Sequence, residues 1–262
     1  MQYTMNTSQN TDDLLYQYRQ KIDSILNDIL THETEKIDQA AEILSDCICR
    51  DRLIHVLGAG GHSSIAAMDI FYRAGGLAQV NAMFPPGMSV LDSHPTMARL
   101  PGTGVFVLNY YDVQQDDPLI VVNFYGVTAA GVDTALAGRE RGVKLITVNS
   151  HAFSSRVPDD FKWRHPQGTN LHELADVAVD NHVPYLDAVL EIPEVEVRLT
   201  ATATMATVFT MNCLMTRTAE KLVRLGKKPD VWMSNNVPGG DEFNREMIEK
   251  YRHRVHHMYP TW

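Results

Sequence analysis

The chain has few cysteines, little positive charge and no apolar run of membrane length. Three cysteines in 262 residues are too few for a disulfide framework, so we expect reduced thiols. The formal net charge of −9 argues against nucleic acid as the main ligand, because phosphate backbones need clustered lysine and arginine. The first residues show no basic-then-apolar signal pattern. These absences predict a cytoplasmic protein that binds neither nucleic acid nor a membrane.

The remaining composition is typical of a globular protein, with 44% hydrophobic and 21% charged residues. Its length allows one large α/β domain or two small ones. Apolar side chains recur at helical spacing over residues 15–30 and 37–48, which predicts two amphipathic helices. We expect this N-terminal segment, residues 1–50, to pack on a sheet or on a partner subunit. Residues 51–262 are expected to form the main domain with a C-terminal helical extension.

From residue 53 onwards, strand patterns alternate with helix patterns. Segments such as LIVVNF and VKLITV are nearly continuous apolar runs, typical of a parallel sheet that is covered on both faces. The alternation predicts right-handed crossovers and a doubly wound α/β fold, in which ligands bind at the carboxyl ends of the strands. The predicted strands are residues 53–57, 77–83, 119–124, 144–149 and 177–180, and the predicted helices include 63–73, 104–113, 128–141, 171–175 and 199–225.

A glycine-rich turn follows the first predicted strand in residues 53–76, LIHVLGAGGHSSIAAMDIFYRAGG. A helix begins directly after the turn, so free backbone N–H groups and the helix dipole both favour an anion there. Two serine hydroxyls at the helix start favour a phosphate, although a packing turn with serine caps would have the same pattern. The residues predicted to bind the phosphate are Gly58, Gly60, Gly61, His62, Ser63 and Ser64.

Two nucleotide-binding motifs with similar turns fit this segment poorly. The dinucleotide fingerprint has a third glycine where this chain has Ser63, and an acidic residue about 20 positions further on. The corresponding strand end, QVNAMFPP, offers no aspartate or glutamate. A P-loop needs Gly-Lys-Ser/Thr, which the turn lacks. The turn therefore favours a small phosphorylated ligand over a nucleotide.

Several longer segments resemble the sugar isomerase (SIS) domain family, and more closely a bacterial, phosphoheptose-isomerase-like subgroup of stand-alone SIS proteins. The resemblance covers nearly the whole chain, residues 14–251. It implies a three-layer α/β/α, Rossmann-like fold with a five-stranded parallel sheet and extra N- and C-terminal helices. It also implies a sugar phosphate ligand and a homo-oligomer, either a dimer or a dimer of dimers. The segments that carry it are GHSSIAAMDIFYRAGGL, NYYDVQQDDPLIVVNFYG, GVKLITVNS, HPQGTNLHELADVAVDNHVPYLDAVLEI and SNNVPGGDEFN.

The resemblance extends to a second phosphate-facing loop, with one departure. The family loop usually reads Ser-Asn-Ser-Gly and two polar residues before a helix, and the matching stretch here is NFYGVT. Asn123 and Tyr125 replace the two serines, whereas Gly126 and Thr128 fit the pattern. The resemblance therefore implies ligand-binding roles for these four residues, in a geometry that permits a shifted or different ligand.

Aldose–ketose isomerisation needs a base that moves a proton between neighbouring carbons through an enediol, and an acid that assists it. Four side chains are candidates: His62 beside the glycine turn, Asp69 in the following helix, His94 in a proline-rich loop and Glu173 at the start of a short helix. Structural interpretations remain open for three of them. Asp69 could be a solvated residue on a helix, and His94 could be an exposed histidine in a loop. Glu173 could do no more than interact with the helix dipole.

A possible metal site and two function hypotheses complete the interpretation. His253, His256 and His257 have the spacing of metal ligands on a helix, but a solvated helix face explains them better. We therefore expect no metal and no cofactor. The leading hypothesis is a sugar-phosphate isomerase. The alternative is a non-catalytic phosphosugar sensor or scaffold, which the missing serines and the few acid–base pairs favour.

Overall fold

The computed structural model describes residues 13–88 and 97–258. Its centre is a five-stranded parallel sheet in the order β2-β1-β3-β4-β5. The predicted α/β architecture is therefore confirmed, including the number and direction of the strands. The strands are β1 (Ile54–Gly58), β2 (Val80–Met83), β3 (Pro118–Val122), β4 (Lys144–Asn149) and β5 (Val177–Asp180).

Helices cover both faces of the sheet, as the continuous apolar strands require. On β3, Ile120 and Val122 pack with α2, α3 and α7, whereas Leu119 and Val121 pack with α4 and α5 on the opposite face. The helices are α1 (Leu14–His32), α2 (Thr34–Cys49), α3 (Ser63–Ile70), α4 (Gly104–Tyr110), α5 (Ala129–Arg141), α6 (His151–Ser154), α7 (Ala203–Arg224) and α8 (Gly240–Tyr251), with short 3-10 helices at Met97–Arg99 and Leu171–Leu174.

The strand order creates a crevice between β1 and β3. The helix after β1 crosses one face of the sheet towards β2, and the helix after β3 crosses the other face towards β4. The connections therefore separate at the carboxyl ends of β1 and β3, where doubly wound sheets bind their ligands. Gly58 pairs with Val122 at this point, so the glycine turn and the second loop leave the sheet side by side.

The two N-terminal helices share the core of the sheet. Ala40, Ala41 and Leu44 of α2 are fully buried in the cluster that contains Ile54 of β1. α2 also packs against α7 and β5. α2 therefore packs on the sheet, while the predicted division at residue 50 and a contact with a partner subunit stay predictions.

The predicted helix over residues 199–225 was wrong at its start. Leu199–Ala201 forms strand β7, which pairs antiparallel with β6 (Ala188–Leu190). The helix begins only at Ala203, where Asp187 Oδ1 accepts hydrogen bonds from the N–H groups of Thr202 and Ala203 at 2.8 Å each. Because the helix is capped from fifteen residues earlier in the chain, its first residue was not evident from the local apolar pattern.

Several other predicted boundaries shift, most of all at the ends of α3, α4 and β3 and at the start of β2, and one predicted pattern does not lie on a helix. α3 ends at Ile70 because Phe71 is extended, and β2 begins at Val80 rather than residue 77. α8 ends at Tyr251, so the three histidines at 253, 256 and 257 lie in the turn that follows it. Within residues 13–88 and 97–258, no helix is long and apolar enough to cross a membrane.

Candidate functional site

The glycine turn after β1 and the loop after β3 are joined by hydrogen bonds at the carboxyl edge of the sheet. Ser63 Oγ accepts from the backbone N–H of Phe124 at 3.1 Å. The Nδ2 of Asn123 donates a hydrogen bond to the carbonyl of Ala59. The N–H of Ala59 in turn donates to the carbonyl of Val122, the last residue of β3, at 2.7 Å. The two loops therefore form one braced unit.

A cavity of about 340 Å³ lies between the two loops and the 3-10 helix Met97–Arg99. We call it the carboxyl-edge cavity. Its volume is in the range of small-molecule sites. Seven of the ten residues predicted to bind the ligand line it. The lining residues are Ala59, Gly60, Gly61, His62, Ser63, Ala98, Arg99, Asn123, Phe124, Tyr125 and Thr128.

The glycine turn offers backbone donors to this cavity. Among the described residues, none accepts a hydrogen bond from the N–H of Gly60, Gly61, His62 or Ser63. α3 begins at Ser63, so the positive end of its dipole lies at the same place. Gly60 has a φ of +115°, a conformation open to glycine and strained for other residues. Free amide donors and a helix N-terminus together form a site for an anion.

The loops orient two hydroxyl groups through hydrogen bonds that the hydroxyl oxygens accept, so both hydroxyl protons remain available to a ligand. The Ser63 hydroxyl accepts from Phe124 N–H, and the Thr128 hydroxyl accepts from Asn123 Nδ2 at 2.6 Å. A hydroxyl group has one donor and two acceptor positions. Both side chains can therefore donate a hydrogen bond into the cavity while the loops hold them in place.

The Asn123 side chain braces the loops and has little left to offer a ligand. Its Nδ2 donates to Ala59 and to Thr128, and its Oδ1 accepts from the N–H of Gly126 at 2.7 Å. The residue is buried. Asn123 therefore acts as a brace, because its amide reaches across the crevice to the glycine turn, and its predicted ligand-binding role stays a prediction.

Three further predicted binding residues shape the loops without lining the cavity. A Cβ at Gly58 would overlap the backbone of α3, so glycine permits the close approach of strand and helix. The Ser64 hydroxyl donates to the carbonyl of Gly61 at 2.6 Å and closes the turn. Gly126 has a φ of +72°, and a Cβ there would lie 2.5 Å from Asn149 Nδ2. All three act on loop conformation.

Arg99 brings a positive charge to the carboxyl-edge cavity, and sequence reasoning missed it. Its guanidinium carbon lies 4.3 Å from the ring centroid of Trp163, which is a cation–π contact. Arg99 comes from the long connection after β2, and Trp163 from the irregular stretch after α6. The only available signal was that the connection leaves a strand at its carboxyl end. The sequence around Arg99 gives no indication that this residue lies beside the glycine turn.

Tyr125 presents a phenol that stays protonated. Burial raises its pKa, and the nearby charge of Asp187 adds to the effect. Its ring stacks on Phe153 of α6, with centroids 4.3 Å apart. The phenol is therefore a positioned hydrogen-bond donor at the wall of the carboxyl-edge cavity, and a poor base.

The family model of the SIS domain matches residues 17–150, more than half of the chain. This chain belongs to the SIS domain family. A UPF0309 protein of Geobacillus kaustophilus is 30% identical to it over 245 residues, which cover 92% of this chain and 96% of that protein. A UPF0309 protein of Streptomyces coelicolor is 30% identical over 236 residues, covering 88% and 92%. The resemblance inferred from the motifs is confirmed.

The SIS fold is also found in a solved structure of phosphoheptose isomerase GmhA from Neisseria gonorrhoeae. That structure aligns with a TM-score of 0.50 at 14% sequence identity, and the match covers 79% of this chain and 97% of the other. At this identity the likeness establishes the fold alone.

Two of the acid–base candidates in this SIS chain are engaged in other contacts. Asp69 forms an ion pair with Arg73 and accepts from Asn212 Nδ2 of α7 at 2.7 Å. Glu173 forms a capping box with Asn170, accepting from its N–H at 3.1 Å and its Nδ2 at 2.9 Å. Neither lines the carboxyl-edge cavity. Glu173 thus acts at a helix start, as its structural interpretation has it, whereas Asp69 is only 17% exposed and is not a solvated helix residue. The acid–base roles of both residues stay predictions.

The two histidine candidates differ in what can be said of them. His62 lines the carboxyl-edge cavity from the N-cap position of α3, and its side chain is exposed. His94 lies outside the described residues, so its predicted role stays a prediction. His62 is thus the predicted acid–base residue that the structure places beside the anion-binding turn.

A second polar cluster at the carboxyl edge was not predicted. Glu33, between α1 and α2, accepts from His182 Nε2 at 3.1 Å and from the N–H of Asp180 at 3.2 Å. The hydrogen bond to Glu33 raises the pKa of His182 against the opposing effect of burial. Burial acts to raise the pKa of Glu33, but its contacts with His182 and Asp180 outweigh burial and lower it. The cluster ties the N-terminal helices to the end of β5.

Metal binding finds no support in the described ranges, residues 13–88 and 97–258. No group of three or more histidine, cysteine, aspartate or glutamate side chains is arranged there to hold a metal ion.

Proposed function

We propose that this SIS protein binds a sugar phosphate in the carboxyl-edge cavity, with the phosphate on the glycine turn. One observation carries the proposal. One cavity is lined by the glycine turn, whose N–H groups have no partner among the described residues, by the first residue of α3 and by Arg99. A phosphate dianion fits such a site because amide donors, a helix dipole and a guanidinium all stabilise negative charge. The solved relative of the same fold, a phosphoheptose isomerase, is consistent with this ligand class.

The sugar would extend from the glycine turn towards the second loop. Ser63 lies where the two loops meet, and its hydroxyl can donate to the phosphate. Tyr125 and Thr128 line the other side of the cavity and offer a phenol and a hydroxyl to the sugar oxygens. The departure from the family serines therefore changes the donors that meet the sugar, while the glycine turn keeps its donors for the anion.

We propose aldose–ketose isomerisation as the reaction, with His62 as the base. His62 would take the proton from the carbon next to the carbonyl and return it to the neighbouring carbon through an enediol. The protonated phenol of Tyr125 would donate a hydrogen bond to the substrate oxygen on which negative charge develops. These roles follow from the two side chains that line the carboxyl-edge cavity and can hold or receive a proton.

A non-catalytic phosphosugar sensor or scaffold is the second candidate. Asp69 and Glu173 are committed to contacts outside the cavity, so His62 is the remaining predicted acid–base residue known to line it. A site with a well-formed anion turn and one exposed histidine fits binding at least as well as turnover. The two candidates share the ligand and differ only in the chemistry.

Isothermal titration calorimetry tests the binding proposal. A panel of aldose and ketose phosphates is compared with the matched free sugars, and we expect only the phosphorylated compounds to bind. Arg99→Gln should weaken binding about tenfold or more, since a charge-assisted hydrogen bond contributes about 1.5–3 kcal/mol. Arg73→Gln is the matched control, because Arg73 forms an ion pair on α3 away from the cavity. Equal affinity for free sugars, or no binding by any phosphate, would contradict the proposal.

Proton exchange then separates the isomerase from the sensor. A sugar phosphate that binds is incubated with the protein in D₂O and followed by NMR. An isomerase incorporates deuterium at the carbon next to the carbonyl, and His62→Ala should abolish the exchange while binding remains. Binding without any exchange would assign the sensor function.

The compartment and the assembly are also part of the proposal. Cys47, Cys49 and Cys213 are all free thiols in the structure. Free thiols, one of them exposed, suit a reducing compartment, so we place the protein in the cytoplasm. We further infer a homo-oligomer, because α1 and α7 expose large apolar side chains.

A further inference from the structure

A second cavity, of about 540 Å³, lies at the opposite edge of the sheet. We call it the amino-edge cavity. Its walls come from the residues that begin β1, the turn after α4, the residue before β3 and the turn after α8. The proposed sugar phosphate occupies the carboxyl edge, so nothing in the proposed function uses this cavity.

Two arginines reach the amino-edge cavity from the turn after α8. Arg252 forms an ion pair with Glu249 at 2.9 Å, and Arg254 forms one with Asp51 at 2.9 Å. Neither carboxylate lines the cavity. A guanidinium carries five N–H donors, and each of these pairs uses only part of the set. Arg252 also donates through Nε to His253, and Arg254 also donates through Nη2 to the carbonyl of Asp51. The remaining N–H groups of both side chains have no partner among the described residues.

A third arginine, Arg52, lines the same cavity and is fixed by a buried carboxylate. Asp117 accepts from Arg52 Nη1 at 2.9 Å and from the N–H of Gln114 at 2.7 Å, and His55 Nε2 lies 3.3 Å from it. Burial acts to raise the pKa of Asp117, but its contacts with His55, Gln114 and Arg52 outweigh burial and lower it. The negative charge of Asp117 is thus compensated by its neighbours in the cavity wall, and Asp117 holds Arg52 in position.

The buried network continues through His55 and cross-braces the cavity. Asn81 Oδ1 accepts from the N–H of His256 at 3.0 Å, so its Nδ2 is the group that faces His55 Nδ1 at 3.2 Å. The proton of the neutral imidazole is therefore on Nε2, directed towards Asp117. This chain of contacts connects β2, β1 and the C-terminal turn, and it holds the two arginine-bearing segments in one arrangement.

We propose that the amino-edge cavity binds a small polyanion, a compound with two neighbouring phosphate or carboxylate groups. Three arginines line this one cavity and match such a ligand, because the planar guanidinium pairs with both kinds of anion through two donors. Tyr110 lines the cavity with an exposed ring, which can cover the organic part of the ligand. The lining also holds two carboxylates, Asp112 and Asp117, so its three arginines leave it net positive in a chain of net charge −9, and this favours anions locally.

Titration calorimetry with inorganic pyrophosphate and with citrate tests the proposal. The probe is titrated into the native protein and into Arg99→Gln, which weakens any binding at the carboxyl edge. We expect saturable binding in both proteins, and a loss of at least tenfold in affinity when R252Q and R254Q are combined. Pyrophosphate binding alone assigns phosphate as the ligand chemistry, and citrate binding alone assigns carboxylate.

The control is Arg217→Gln. Its side chain is 34% exposed, close to the 31% and 35% of Arg252 and Arg254, and it pairs with Asp38 and Glu220 away from both cavities. Affinity for the probe should stay within about twofold of native in this variant. The inference is overturned if neither probe binds, or if the double variant binds as the native protein does while its thermal unfolding is unchanged. A protein that binds no sugar phosphate can still bind the probe here, so the two proposals fail separately.

Discussion

Asn123 donates a hydrogen bond across the crevice to the carbonyl of Ala59, and this contact ties the two loops of the carboxyl-edge cavity together. The same amide holds Thr128 and Gly126. A residue expected to meet the ligand therefore acts on the shape of the site. In this SIS chain, Asn123 replaces a family serine and holds the two loops together.

Asn123→Ala is expected to lower the free energy of unfolding by about 2–3 kcal/mol, because buried hydrogen-bond partners lose their donor or acceptor. Urea unfolding measures the change. Asn236→Ala is the control, since Asn236 is exposed and its substitution should cost under about 0.5 kcal/mol. Equal stability of the two variants would show that the amide does not brace the loops.

Gly126→Ala and Gly168→Ala form a matched pair. Their φ angles are +72° and +70°, but a Cβ would lie 2.5 Å from Asn149 Nδ2 at the first position and meet nothing within 4 Å at the second. We expect Gly168→Ala to cost about 1–2 kcal/mol from the left-handed backbone. Gly126→Ala should cost a further 1–3 kcal/mol or so from overpacking. Thermal and urea unfolding of both variants give the difference, and equal costs would remove the packing argument.

The central sheet was predictable because its signals are local. β4 and β5 match their predicted ranges, since each is an apolar strand of the buried sheet with turn residues at both ends. The glycine turn was predictable for the same reason. The close approach of strand and helix at Gly58 and the start of α3 at Ser63 depend on neighbours a few residues apart.

The rest of the site depends on contacts between distant segments. Arg99 lies at the carboxyl-edge cavity in contact with Trp163, and both residues are far in sequence from the glycine turn. Asp69 is held by Arg73, just beyond the end of its helix, and by Asn212 on α7, so its spacing from the glycine turn says little about its role. No sequence periodicity or motif indicates contacts between such distant segments. They are determined by three-dimensional packing.

The ion pair between His182 and Glu33 should make stability depend on pH. The folded pKa of His182 is raised above its ordinary 6.5, so its contribution is fully present below pH 6.5 and is lost as pH rises through the folded pKa. The folded pKa of Glu33 is lowered from 4.5, so its contribution is present above pH 4.5 and lost as pH falls. The pair therefore stabilises the fold most between these two values.

His182→Gln should cost about 1 kcal/mol more at about pH 5.5 than at about pH 8.5, because a charge-assisted hydrogen bond is lost only at the lower pH. Urea unfolding at both pH values measures this. His253→Gln serves as the control, since His253 is exposed in the turn after α8. A penalty that is the same at both pH values would exclude the charged pair.

We predict homo-oligomerisation from apolar side chains on the surface of the described residues. Leu15 on α1 is 78% exposed and Val223 on α7 is 62% exposed, and a groove between α7 and the α1–α2 pair is lined by Leu30, Ile37 and Phe209. We expect a dimer or a dimer of dimers by light scattering at micromolar concentration. Leu30→Asp should shift the protein towards the monomer, whereas Leu186→Asp, in the loop before β6, should not. A native monomer would contradict the prediction.

Trp163 is expected to set ligand affinity without touching the ligand. Its ring carries Arg99 at 4.3 Å from the centroid, and a cation–π contact of this kind contributes about 0.5–1 kcal/mol. Trp163→Leu should therefore weaken sugar-phosphate binding about two- to fivefold, less than Arg99→Gln does. Lys162, whose Nζ lies 4.8 Å from the centroid of the same ring, does not line the carboxyl-edge cavity, so Lys162→Gln is the control. Titration calorimetry compares the three variants. An affinity that falls equally in Lys162→Gln would mean that the general charge of this region, rather than the position of Arg99, controls binding.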